Sequence, residues 1–148
     1  MEVTRINAGV APRELHRRHL IAEYREVPMV PAALRRSLRA GTPENVVRRI
    51  PVAFTLNAGH VTFFFDKLGY LQARYDALVS EMLLRGYAPD PSRVLDLSGI
   101  PSTFCGDWQE TDAARTLILE RIAQRQAEKP HLYLTQSASA ACLSQQST

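Results

Sequence analysis

Lysine is nearly missing from this sequence, with 2 residues among 148 against 16 arginines. Such a chain grips anions through planar guanidinium forks rather than through mobile point charges. Cysteine is scarce as well. Cys105 and Cys142 stand alone, with neither C-x-x-C spacing nor a histidine cluster, which argues against a disulfide framework and a metal site. No apolar run approaches the roughly 20 residues needed to span a bilayer, and no charged-then-apolar signal opens the chain. The expected compartment is therefore the cytoplasm, with no membrane partner. The motifs G-x-x-x-x-G-K-[ST], G-x-G-x-x-G, H-E-x-x-H and G-x-S-x-G are all absent. Nucleotide-binding, zinc-protease and α/β-hydrolase readings accordingly have no motif to stand on.

What the chain does have is unevenly spread charge. Residues 1–49 hold ten arginines and five glutamates, a net +5, whereas the remainder carries −2. Genomic base composition would account for arginine in place of lysine, but not for that asymmetry. A basic N-terminal third points to a polyanionic partner. The length suits a single domain, expected to cover residues 1–148, long enough to bury a core without staples.

Met1 to Val10 lack periodicity and are expected to form an extended arm. Pro12 suits the first turn of a helix running to about Glu26, with Leu15, His19, Leu20 and Ala22 facing inward. Pro28 and Pro31 interrupt it, since each removes an amide donor and clashes with the preceding turn. A second segment follows, from about Pro31 to Arg39, and Gly41 stops it. Residues 42–60 read as irregular connection; within them PVAFTL has the look of a short strand without a partner. The run VTFFF, Val61–Phe65, reads as core. A long helix follows over Asp66–Arg85, with Leu68, Leu71, Tyr75, Leu78, Val79 and Met82 at 3.6-residue spacing and Gly86 as its stop. Residues 87–110 form a long ordered loop. A last helix is capped by Thr111 or Asp112 and runs through Arg125, and the tail from about residue 135 is expected to fray. No internal repeat is visible. The class is all-α: three principal helices, the first interrupted near Pro28–Pro31, in one compact domain with long ordered loops.

One stretch is chemically unusual. In HLIAEYRE, His19–Glu26, helical spacing stacks His19 and Glu26 on one face together with Ala22 and Glu23. Arg18 and Arg25 repeat the seven-residue step on the adjoining stripe. The plain interpretation is a solvated face with i to i+4 ion pairs. His16 and His60 read as structural hydrogen-bonders rather than ligands.

Several ordered strings carry more. TRIN at Thr4–Asn7, HLIAEYRE and NAGHVTFFFDKLGYL at Asn57–Leu71 are followed by RGY at Arg85–Tyr87, Ile100–Pro101, FCGDW at Phe104–Trp108 and ERIAQR at Glu120–Arg125. Together they resemble the phage and virus pyrimidine-dimer DNA glycosylases, the endonuclease V family, over about residues 3–125. The resemblance implies an all-α fold, damaged double-stranded DNA as partner, no cofactor and no metal, and a monomer. It also implies a mechanism: the α-amine of an N-terminal threonine, Thr4 in this sequence, attacks C1′ of the damaged nucleotide, and Glu26 assists. Arg5, His19, Arg25 and Arg121 match positions that hold the DNA backbone.

Two departures from that pattern matter. Met1–Glu2–Val3 precede Thr4, and the expectation is that Val3 is the true start, read as methionine and trimmed to expose Thr4. The region matching an aromatic-rich tail is HLYLTQSAS, where only Tyr133 remains, and Met29 replaces an arginine that some members use. Two further readings stand beside the glycosylase: a catalytically silent DNA-binding protein, and a lyase of the same mechanism acting on abasic or oxidised sites.

Overall fold

A computed structural model describes residues 6–133, so Thr4, Arg5 and the tail expected to fray lie outside the described residues. The expected all-α class is what the chain adopts. Six α-helices run in order through the described residues: α1 Arg17–Glu26, α2 Met29–Ala40, α3 Pro43–Arg48, α4 His60–Phe63, α5 Leu68–Leu84 and α6 Asp112–Glu128. Among the described residues there is no strand, only an isolated bridge between Lys67 and Cys105. None of these helices is long and apolar enough to cross a membrane.

Helix α5 is the axis of the packing. Leu68, Leu71, Tyr75, Leu78 and Met82 are buried at the expected spacing, but Tyr70 and Arg74 are buried too, so the helix is enclosed on more than one side. Phe63, Phe64 and Phe65 sit in the core beside it, and the Trp108 ring packs edge-on against Phe63 and Phe64. The loop from Tyr87 to Glu110 is held by Leu95 and Phe104, which are buried, and by Leu97 and Ile100 packed on the same core. That answers how a loop of this length stays ordered.

The first helix differs from its expected form. Pro12–Glu14 make only a 3-10 turn; Leu15 and His16 are extended, and α1 starts afresh at Arg17. The His16 Nδ1 accepts from the Arg18 amide and so caps the new helix, while the Arg85 guanidinium donates to the carbonyls of Pro12 and Leu15 and braces the turn. The inward stripe is Leu20, Tyr24 and Val27 rather than one containing His19 and Ala22; Ala22 is exposed. The break falls at Val27–Pro28 as expected, but Pro31 does not interrupt the chain: it sits in the first turn of α2, where a missing amide donor costs nothing.

Residues 42–60 are less irregular than their composition suggests. Thr42 Oγ1 accepts from the Asn45 amide and Pro43 occupies the first turn, so α3 has both starting signals yet is too short to show periodicity. PVAFTL forms no strand. The arm also differs: Ile6, Ala8 and Val10 are essentially fully buried. Gly9 allows this, because its φ of 84° and the approach of the Arg115 Cβ to 2.8 Å from an added Cβ leave no room for a side chain.

Candidate active site

The arm and helices α1 and α6 enclose a cleft of about 390 Å³. Asn7 lines it from the arm, His19, Ala22, Glu23, Arg25 and Glu26 from α1, Arg121, Ile122 and Arg125 from α6, and Tyr133 from the end of the described chain. Arg17 and Arg18 complete its basic side. His19, Arg25, Glu26 and Arg121, the expected site residues within the described region, are thus brought together on one cleft. Arg121 comes from a helix about a hundred residues downstream of α1.

Two carboxylates line this cleft, and they differ in kind. The Glu23 side chain is fully buried. The Arg74 guanidinium donates to it twice, Nε to Oε2 at 2.7 Å and Nη2 to Oε1 at 2.9 Å, and Asn7 Nδ2 donates to Oε1 at 2.8 Å. Arg74 also donates from Nη1 to the Val10 carbonyl at 2.7 Å. Burial alone would lower the Arg74 pKa, but the Glu23 carboxylate overrides it and the net displacement is upward. Glu23 is therefore spent on architecture: it ties α1 to α5 and to the arm. Glu26, one turn further on, is half-buried and is the carboxylate that opens on the cleft.

Around Glu26 the field is cationic. Arg17, Arg18, Arg25, Arg121 and Arg125 all line the cleft. A concave surface lined by five arginines attracts anionic groups such as phosphates beside the half-buried Glu26. Tyr133 closes one end. Its hydroxyl lies 3.2 Å from His19 Nε2, the two rings stack at 5.4 Å, and the His16 ring meets Tyr133 edge-on at 4.7 Å. Burial pushes the His16 imidazole pKa down, which keeps its Nδ1 available as the helix cap. Among the described residues no group of three or more metal-type side chains converges.

Asn7, Arg17, Arg125 and Ile122 were not expected in the site. Arg125 had a readable signal, since it lies four residues after Arg121 on the same helix face. Asn7 had none. Thr4 and Arg5, the expected nucleophile and a backbone-holding arginine, lie outside the described residues. A family model described as pyrimidine dimer DNA glycosylase matches residues 3–94, well over half of the chain. That span takes in the arm, the whole of α1 and α2, and the buried Arg74 that fixes Glu23. The chain belongs to the pyrimidine dimer DNA glycosylase family and is a DNA-repair glycosylase whose substrate is DNA.

Proposed function

We propose that this enzyme excises cyclobutane pyrimidine dimers from duplex DNA and then cuts the strand, with the Thr4 α-amine as nucleophile and Glu26 as the acid and base. The amine attacks C1′, the glycosidic bond breaks, and the base leaves with the electron pair. Opening of the sugar ring yields an imine between enzyme and C1′. Removal of a C2′ proton then expels the 3′ phosphate by β-elimination, and water releases the enzyme.

The observation that carries this reading is the cleft itself. Its lining holds Glu26 together with five arginines and Asn7, while the other carboxylate, Glu23, is taken up by Arg74. Only Arg5 separates Thr4 from Ile6, so the covalent chain tethers the amine within roughly 7 Å of the Ile6 nitrogen. The family match begins at Val3, one residue before Thr4. An α-amine suits the task because its reference pKa of about 7.7–8.0 leaves a useful neutral fraction at pH 7, unlike lysine near 10.4. A cationic lining favours the neutral, nucleophilic form further. The guanidinium groups hold phosphates and position the duplex without reading sequence, and Glu26 can stabilise a cationic sugar and move protons in both steps.

The reading requires Thr4 to be the first residue of the active protein, because any of residues 1–3 left in place would turn the amine into an amide. Intact mass of natively expressed protein and borohydride trapping decide it together. A mass beginning at Thr4 and covalent capture on ultraviolet-irradiated duplex are expected. Capture on abasic duplex alone would reassign the enzyme to abasic sites. A retained Met1–Val3 with no capture would leave a silent DNA binder. Glu26→Gln is expected to lose strand cleavage while still binding irradiated duplex; normal cleavage by that variant would remove Glu26 from the chemistry.

A further inference from the structure

The arm enters the core at a single planar group that lies outside the cleft. Ile6 is fully buried, and its backbone N–H donates to Nε2 of His60 at 2.8 Å. The other ring nitrogen, Nδ1, stands 2.7 Å from the Thr55 carbonyl oxygen. His60 is itself 1% exposed, and the rings of Phe54 and Phe64 meet it edge-on at 5.4 Å each, which fixes its plane. A carbonyl only accepts and an amide only donates. The ring proton therefore sits on Nδ1, and the Nε2 lone pair takes the Ile6 N–H.

That bond has a particular place in the chain. Ile6 is the first described residue of the arm and lies outside any helix or strand that would supply an acceptor for its amide, and a buried N–H without one is costly. The side chain of the next residue, Asn7, is held by Glu23 on α1. Two consecutive residues are thus held by two different parts of the fold, separated from Thr4 by Arg5 alone. We propose that His60 is a positioning residue of the glycosylase: by holding the Ile6 amide it sets the register of the segment that carries the Thr4 amine against Glu26. This role rests on Thr4 being the nucleophile. Its importance follows from geometry, because a displacement of about 1 Å between reacting groups costs on the order of 100-fold in rate.

Two variants separate positioning from bulk stability. His60→Leu fills the space without an acceptor, whereas His60→Gln offers an acceptor and a donor on one planar group. In single-turnover borohydride capture on irradiated duplex at saturating protein, His60→Leu should lose on the order of 100-fold in rate, with the Kd for that duplex unchanged. His60→Gln should recover most of the rate. Capture by His60→Leu at the unsubstituted rate would overturn the role, as would a parallel loss of affinity and rate, or a Gln variant no better than Leu. Nitrogen-15 spectra of the unsubstituted protein add a readout independent of activity: the ring should be neutral with its proton on Nδ1, and the Ile6 amide should resist exchange. A proton on Nε2, or rapid Ile6 exchange, would refute the anchoring itself. If anchoring holds but the unsubstituted protein, shown by mass to begin at Thr4, captures no DNA, the nucleophile reading has failed and this role falls with it.

Discussion

Replacing Glu23 by glutamine removes one charge from the most deeply buried ion pair described in this protein. The Arg74 and Glu23 side chains are 4% and 0% exposed, so water cannot compensate the guanidinium that remains. The substitution preserves volume and one acceptor, but Arg74 loses its counterion and one of its two bonds to Glu23. Breaking a buried pair from one side costs about 3–5 kcal/mol, a large share of a domain's net stability of roughly 5–15 kcal/mol. For a chain of this size that corresponds to a fall in Tm of roughly 10–15 °C. Replacing both partners, Glu23→Leu with Arg74→Leu, removes the uncompensated charge. It strands Asn7 Nδ2 and the Val10 carbonyl, at about 1–3 kcal/mol each, so the double variant should be less damaged than the sum of the singles. Urea unfolding followed by circular dichroism, read as a double-mutant cycle, measures the difference. A Glu23→Gln loss below about 1 kcal/mol would mean that the pair is solvated at the level of a surface bridge, and the account of Glu23 as architecture would be wrong.

Protonation of His16 gives a second test. Burial depresses its pKa below the ordinary 6.5, so the unfolded chain takes up the proton more readily than the folded one. Its contribution to stability is therefore complete above about pH 6.5 and is lost as the pH falls through that value toward the lower folded pKa. Tm should drop between pH 7.5 and pH 5, and His16→Asn, which keeps an acceptor for the Arg18 amide, should show a smaller drop; identical drops would contradict this. On the DNA side, Arg121→Ala should weaken binding to any duplex and reduce the slope of log K against log salt by about 1. A loss confined to damaged DNA, with the slope intact, would show that Arg121 contacts the lesion rather than phosphate.

How far the sequence discloses this site depends on distance along the chain. Helices α5 and α6 are legible because their apolar residues recur every three or four positions and Gly86 and Thr111 mark their ends. Helix α3 escapes because six residues cannot show a period, although Thr42 and Pro43 announce it. The clustering of His19, Arg25, Glu26 and Arg121 came through resemblance, since nothing local brings α6 to α1. The distinction between Glu23 and Glu26 is subtler. At about 100° per residue Glu23 lies roughly 60° from Leu20, the centre of the buried stripe, and Glu26 roughly 60° further round. A carboxylate at the first position can go inside only if a cation meets it there, and that cation, Arg74, is 51 residues away on α5. The same holds for the arm: His60 meets Ile6 across 54 residues. Periodicity finds the faces of helices, but it is silent about partners supplied by another element. In this chain those partners decide which of two neighbouring glutamates supports the fold and which is left to the cleft.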